Sequence, residues 1–231
     1  MTGLWQYASE ARDEIVAQLG QHLLLVGISI SLAVLLGVPA GIAVAYRARS
    51  RRLTLAVANI LQTIPSLALL AFLIPIPLVG GTGTRPAIVA LTAYAVLPIV
   101  KNTVTGIRGV DPAVREAAVA MGMTRRQLLL RVELPLSAAV ILAGVRIATV
   151  VTVATATIAA AIGAEGLGVF IFRGLKVMND HAILAGAIPA ALLALLLDAA
   201  LALLERAVTV AGAGARHDRD RKRRAPDLPA P

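Results

Sequence analysis

Five apolar stretches, at about residues 23–46, 53–79, 86–106, 137–162 and 182–204, divide this chain of 231 residues. A helix needs about 20 such residues to cross the hydrocarbon core of a bilayer. Charge inside the stretches is confined to Lys101, Arg146 and Asp198. Lys101 is close enough to an end to snorkel, and the other two are single intramembrane charges. A backbone in lipid must satisfy its own hydrogen bonds, so runs of this length are expected as helices. The fold class expected is therefore all-α and integral to a membrane, with five spans making up a transmembrane domain over 23–208.

Hydrophobic residues are 58% of the chain and mean hydropathy is +0.82. The net charge of +9 raises nucleic-acid binding, but aromatics are only 3%. The basic residues also cluster between apolar runs, so no nucleic-acid partner is expected. Arg47 to Arg52 holds four Arg, Lys101 to Arg131 six basic residues, and Arg206 onward seven. These are alternate connections, and the positive-inside rule makes all three cytoplasmic, with the N-terminus outside the plasma membrane. Cysteine is absent, which removes thiolate metal sites and thiol nucleophiles. His22, His181 and His217 share no metal-ligand spacing, so no metal site is expected.

Residues 1–22 place Leu4, Trp5, Ala8, Ala11, Ile15, Val16 and Leu19 at helical spacing among charged residues. The expectation is an amphipathic helix in the interface, retained because it lacks a basic start and a small-residue cleavage site. Residues 209–231 mix Gly, Pro and charge without apolar period and read as a disordered basic cytoplasmic tail. Its run Arg221 to Arg224 is a possible contact for anionic membrane lipid, against plain solvation.

The connection 111–135 reads DPAVREAAVAMGMTRRQLLLRVELP. Asp111 with Pro112 is an N-cap and first-turn pair, and Val114, Ala117, Ala118 and Met121 follow on one face. Gly122 is expected to stop that helix. Thr124 with Gln127 forms a capping box that opens a second short helix, before Pro135 returns the chain to the membrane. Two helices meeting at a glycine make a stiff elbow, with small residues that permit close approach by a partner.

Glu116, Ala117 and Ala118, then Gly122 three residues on, then Val132, Leu134 and Pro135 after nine more, resemble the EAA loop of bacterial ABC importer permeases. Val132 stands where isoleucine is commoner. The resemblance implies that the elbow docks on a nucleotide-binding subunit, with Glu116, Ala117, Ala118, Gly122, Leu134 and Pro135 carrying the coupling. Asn59 to Pro75, Ala95 to Arg108, GMTRRQLLLRVELP and Ala185 to Asp198 are similar to the permeases for osmoprotectants such as glycine betaine, carnitine and choline. This implies the type I, methionine-importer-like fold with five helices per subunit. IGAEGLG (Ile162 to Gly168) resembles a glycine-rich stretch of the family, with Glu165 where glycine is usual.

Pro65 inside the second span frees a backbone acceptor that Gln62, Thr63 and Ser66 are placed to satisfy. Gln62, Thr63, Pro65 and Ser66 are read as pathway-lining, with a structural kink as the alternative. Thr152 and Thr155, in the run Thr149, Thr152, Thr155, Thr157, are pathway candidates of the same kind, although threonine hydroxyls also bond back to their own helix. Arg146 and Asp198 are expected as a structural ion pair.

No GxxxxGK[ST] loop occurs in these residues, so ATP and Mg belong to a partner ATPase, and no cofactor or catalytic residue is assigned to this chain. The resemblance further implies two ATPase copies, an extracytoplasmic substrate-binding protein that carries the aromatic cage, and a second permease subunit in a homo- or heterodimer. A permease for an amino acid or other small solute on the same fold is the alternative. A secondary transporter would show inverted repeats and paired broken helices, and a membrane enzyme would show clustered catalytic groups. Neither pattern is found in the sequence.

Overall fold

The computed structural model describes residues 2–77 and 79–223, and the side chains of these except 2, 48, 50 and 210–223. Ten α-helices follow in order among the described residues: α1 (Thr2–Glu10), α2 (Arg12–Ala45), α3 (Ala48–Thr63), α4 (Ser66–Leu73), α5 (Thr84–Arg108), α6 (Pro112–Ala120), α7 (Arg125–Leu128), α8 (Leu134–Ala159), α9 (Gly168–Val177) and α10 (Asp180–Arg223). Four helical runs are long and apolar enough to cross a membrane: Arg12–Ala45, Thr84–Arg108, Arg125–Ile162 and Asp180–Thr209. The pair Arg51–Thr63 and Ser66–Leu73, bent by 94°, makes a fifth if counted as one span.

The boundaries depart from the sequence reading in four places. The expected amphipathic segment 1–22 is divided, because α1 stops at Glu10 and α2 then runs unbroken from Arg12 into the first span. The stretch 53–79 is not one straight helix. Ile64, ahead of Pro65, is extended at φ −71° and ψ 126°, where the proline ring disfavours helical backbone. The Leu61 carbonyl, which Pro65 leaves without its usual donor, accepts from the Ile64 amide at 3.2 Å, and the Ile64 carbonyl accepts from the Tyr94 hydroxyl on α5; neither is met by the side chain of Gln62, Thr63 or Ser66. Thr63 Oγ1 instead donates to the Ile60 carbonyl at 2.7 Å. The glycine-rich stretch leads into a helix of its own, α9, whose Phe170 is fully buried. The last helix continues to Arg223, past the glycines at which disorder was expected to begin. Isolated glycines cost a helix only about 1 kcal/mol each. The remaining tail, residues 224–231, lies outside the described residues.

The core is built where α2, α5 and α8 cross. Leu25 and Val26 of α2, Leu91 of α5 and Val153 of α8 are buried together with Leu70 of α4. A second cluster joins Ala33, Ala95, Ile99 and Ala148 nearer the elbow. Small residues let the backbones approach there, as is usual between helices in lipid. Gly37 and Gly41 of α2 face Ile99 and Thr103 of α5, and a Cβ on either would come within 3.0 Å of those side chains.

The helices place the connections at two ends. At one lie α1, the turn before α5, residues 160–167 and α9. The Gly83 amide donates to the Ile162 carbonyl at 2.8 Å, and Arg173 pairs with Glu14 through contacts of 2.8 and 3.1 Å. At the other lie the end of α2, the end of α5 and the elbow.

Candidate functional site

The elbow begins as its capping residues dictate. Asp111 accepts from the Ala113 amide at 2.9 Å, with Pro112 in the first turn. After nine residues α6 closes with two backbone bonds, Gly122 N–H to the Val119 carbonyl at 2.9 Å and Met123 N–H to the Ala118 carbonyl at 3.2 Å. That is a Schellman closure, and it requires a left-handed residue. Gly122 supplies it at φ +80°.

The second arm differs from the short helix expected. Thr124 and Gln127 do form the reciprocal capping box, at 2.8 and 3.3 Å. From Arg125, however, the helix runs without a break into α8 through a wide π turn, Leu129–Glu133, closed by the Leu134 amide on the Leu129 carbonyl. Pro135 has no N–H for the carbonyl four residues back, and a wide turn just before it absorbs that mismatch. The membrane helix thus extends as a rod into the elbow, and α6 folds back beside it.

α6 has two unlike sides. Glu116, Ala117, Val119 and Met121 are exposed, whereas Ala118 is buried and Val114 and Arg115 are half-buried. The exposed set is small and apolar beside one carboxylate, which suits insertion into a partner's groove. Leu134 is half-buried and Pro135 exposed at the base of the rod.

A buried acid that the sequence reading did not single out sits between the arms. Glu133 is 1% exposed. Its Oε1 lies 2.9 Å from Arg115 Nε on α6, and its Oε2 accepts from the Tyr46 hydroxyl at the end of α2. The Arg115 guanidinium also donates to the Ile107 carbonyl near the end of α5. A carboxylate taken out of water needs such partners. The available signal was its place, one acidic residue in the apolar return to the membrane, but Tyr46 is 87 residues away in sequence.

The remaining candidates are dispersed. Gln62, Thr63 and Pro65 are exposed at the bend between α3 and α4, with Ser66 half-buried. Thr152 and Thr155 are 1% and 7% exposed, and their hydroxyls donate to the Ala148 and Val151 carbonyls at 2.7 and 2.8 Å. That sets them in helix packing rather than on an open surface of the chain. Arg146 and Asp198 come together, Nε to Oδ1 at 2.5 Å and Nη2 to Oδ2 at 2.8 Å, with Glu205 3.6 Å from the same guanidinium. Glu165 is exposed in the turn ahead of α9.

Residues 33–210 match the family model described as binding-protein-dependent transport system inner membrane component. The chain is 43% identical over 209 residues to the carnitine transport permease protein OpuCB of Listeria monocytogenes, covering 90% of this chain and 94% of that one. It is 41% identical over 199 residues to the glycine betaine/carnitine/choline transport system permease protein OpuCB of Bacillus subtilis, covering 86% and 90%. Among solved structures, the inward-facing MetNI methionine ABC transporter superposes with a TM-score of 0.77 at 25% identity, over 84% of this chain and 95% of that one.

Proposed function

The chain belongs to the binding-protein-dependent transport system inner membrane component family, and from that premise we propose that it is the membrane-spanning permease subunit of an ATP-driven importer for an osmoprotectant such as glycine betaine, carnitine or choline. The observation that carries this reading is the elbow itself. Glu116 and Ala117 stand on an exposed face of α6 that is held by a cap at Asp111 and a Schellman turn at Gly122, in a chain similar to osmoprotectant permeases over nearly its whole length.

In this reading α6 inserts into a groove on a separate ATPase subunit, which binds ATP and Mg. Two ATPase copies act on two permease subunits, and an extracytoplasmic binding protein delivers the solute. The arginine-rich connections orient the elbow end and the C-terminus to the cytoplasm and α1 and α9 to the outside. The bend at Ile64 and Pro65 exposes Gln62 and Thr63 within the membrane-spanning region. Polar groups there avoid lipid, so they line the solute path between the two permease subunits.

The test is purification of the tagged subunit from its native membrane in mild detergent, followed by uptake assays with labelled glycine betaine, carnitine and choline. An ATPase that comes down with the wild type and is lost with Ala117→Leu supports the reading, as does ATP-dependent uptake of one of the three solutes. If no ATPase is recovered under conditions that preserve other membrane complexes, the reading fails. Uptake of amino acids in place of all three solutes would move the chain to the alternative substrate class.

A further inference from the structure

Three elements of the elbow end converge on one carboxylate. Glu133 lies on the rod formed by α7, the π turn and α8, and it is buried at 1% exposure. Arg115 reaches it from α6 at 2.9 Å and Tyr46 from the end of α2. Arg115 also holds the Ile107 carbonyl, near the end of α5. Among the described residues, Arg115 makes the only side-chain hydrogen bonds or ion pair from α6 to a membrane helix. The backbone joins α6 to the rod only through the turn around Gly122, and nothing packs within 4 Å of where a Cβ there would stand. Without a brace, a push on α6 would flex that turn.

We propose that Glu133, through Arg115 and Tyr46, is the positioning residue that locks α6 to the membrane helices, so that displacement of α6 by the ATPase moves α2, α5 and α8 together. This deepens the reading of α6 as the ATPase-docking segment and rests on it. The physical basis is that transmission needs a rigid chain of contacts with defined arrangements. An ion pair with one partner out of water supplies one, because Glu133 left alone in the interior is costly and the pair therefore resists modest load. Burial of the Glu133 end also weakens screening by salt.

The brace and the docking face are different residues, and this separates the two ideas experimentally. The complete complex of permease, ATPase and binding protein is reconstituted in proteoliposomes with glycine betaine, carnitine or choline, whichever the wild type takes up. Three quantities are read: ATPase co-isolated per permease, ATP hydrolysed, and solute transported per ATP. Glu133→Gln keeps shape and the Tyr46 contact but removes the ion pair, and Arg115→Met removes it from the other side. Both are expected to keep co-isolation of the ATPase and to lower transport per ATP by about tenfold. The double variant is expected to be no worse than either single one, because both break one link.

A wild-type ratio of transport to hydrolysis in Glu133→Gln overturns the proposal. So does a parallel fall of co-isolation, hydrolysis and uptake, which would mark a purely structural role. If Glu133→Gln does not insert, Arg115→Lys decides. It keeps the charge but loses the fork that reaches both Glu133 and Ile107, so an intermediate ratio supports the brace and an unchanged one overturns it. Normal ATPase binding and uptake in Ala117→Leu would instead sink the docking reading, whatever the Glu133 variants do.

Discussion

Thr103 of α5 closes over Gly41 of α2, where an added Cβ would lie 2.6 Å from Thr103 Cβ and 2.8 Å from its methyl group. Thr103 is itself fully buried, and its hydroxyl donates to the Ile99 carbonyl at 2.8 Å, so it has little room to turn away. Gly41→Ala is therefore expected to overpack the crossing of α2 and α5 and to cost about 1–3 kcal/mol. The atoms that clash belong to Thr103, so the loss should be smaller in a Thr103→Gly background. A thermal melt of the four proteins in detergent checks this. Equal losses in both backgrounds would mean that the Val100 carbonyl, 3.2 Å away, sets the limit.

Gly122 is needed for its backbone alone. Its φ is +80° and the space around a Cβ is open. A residue with a side chain pays about 1–2 kcal/mol in that conformation, while asparagine tolerates it best. Gly122→Asn should retain most ATPase co-purification. Gly122→Val should lose it while the protein still inserts, since α6 lies outside the spans. Equal behaviour of the two variants would exclude the left-handed turn as the cause.

Arg146 is shared between two acids, Asp198 on one side and Glu205 on the other. Removing one partner of a charge pair leaves the other uncompensated, whereas replacing both by apolar residues is often tolerated. Arg146→Leu strands two carboxylates and is expected to lower the melting temperature most. Asp198→Leu leaves Arg146 with Glu205 and should lower it less. The double variant should recover part of the loss seen with Arg146→Leu. If the two single variants melt alike, Glu205 is no effective second partner.

How far the sequence could be followed depended on how local the determining interactions are. The caps at Asp111 and Thr124 and the glycine stop at Gly122 are written within a few residues of where they act and are present at the expected positions, and four of the five apolar runs fall on single long helices, the run broken at Pro65 being the exception. The π turn was missed because it reflects a compromise between Pro135 and the continuity of α8, and no single residue announces it. Glu133 was missed because its partners come from α2 and α6, and charge pattern alone does not reveal burial. Thr152 and Thr155 were open between a pathway role and helix packing, and the sequence could not show that their hydroxyls bond to the carbonyls one turn back.

The same distinction governs the break at Pro65. A proline in a span was expected to be accommodated by its polar neighbours, yet the Ile64 carbonyl is met from another helix, by the Tyr94 hydroxyl. Tyr94 thereby fixes where α3 ends and how α4 leaves it, with the Leu69 amide already returning to the Pro65 carbonyl at 3.1 Å. Tyr94→Phe keeps the ring and removes only the donor. Loss of this part-buried hydrogen bond should cost about 1 kcal/mol. If Gln62 and Thr63 line the solute path, the loosened bend should also raise the KM for uptake while ATP hydrolysis continues. Pro65→Ala in the Tyr94→Phe background removes the cause of the break, and stability should then return, with uptake still impaired. A Tyr94→Phe protein with unchanged melting temperature and unchanged KM would show that the bend is held by α4 packing, through Leu70 in the core, and not by this hydrogen bond.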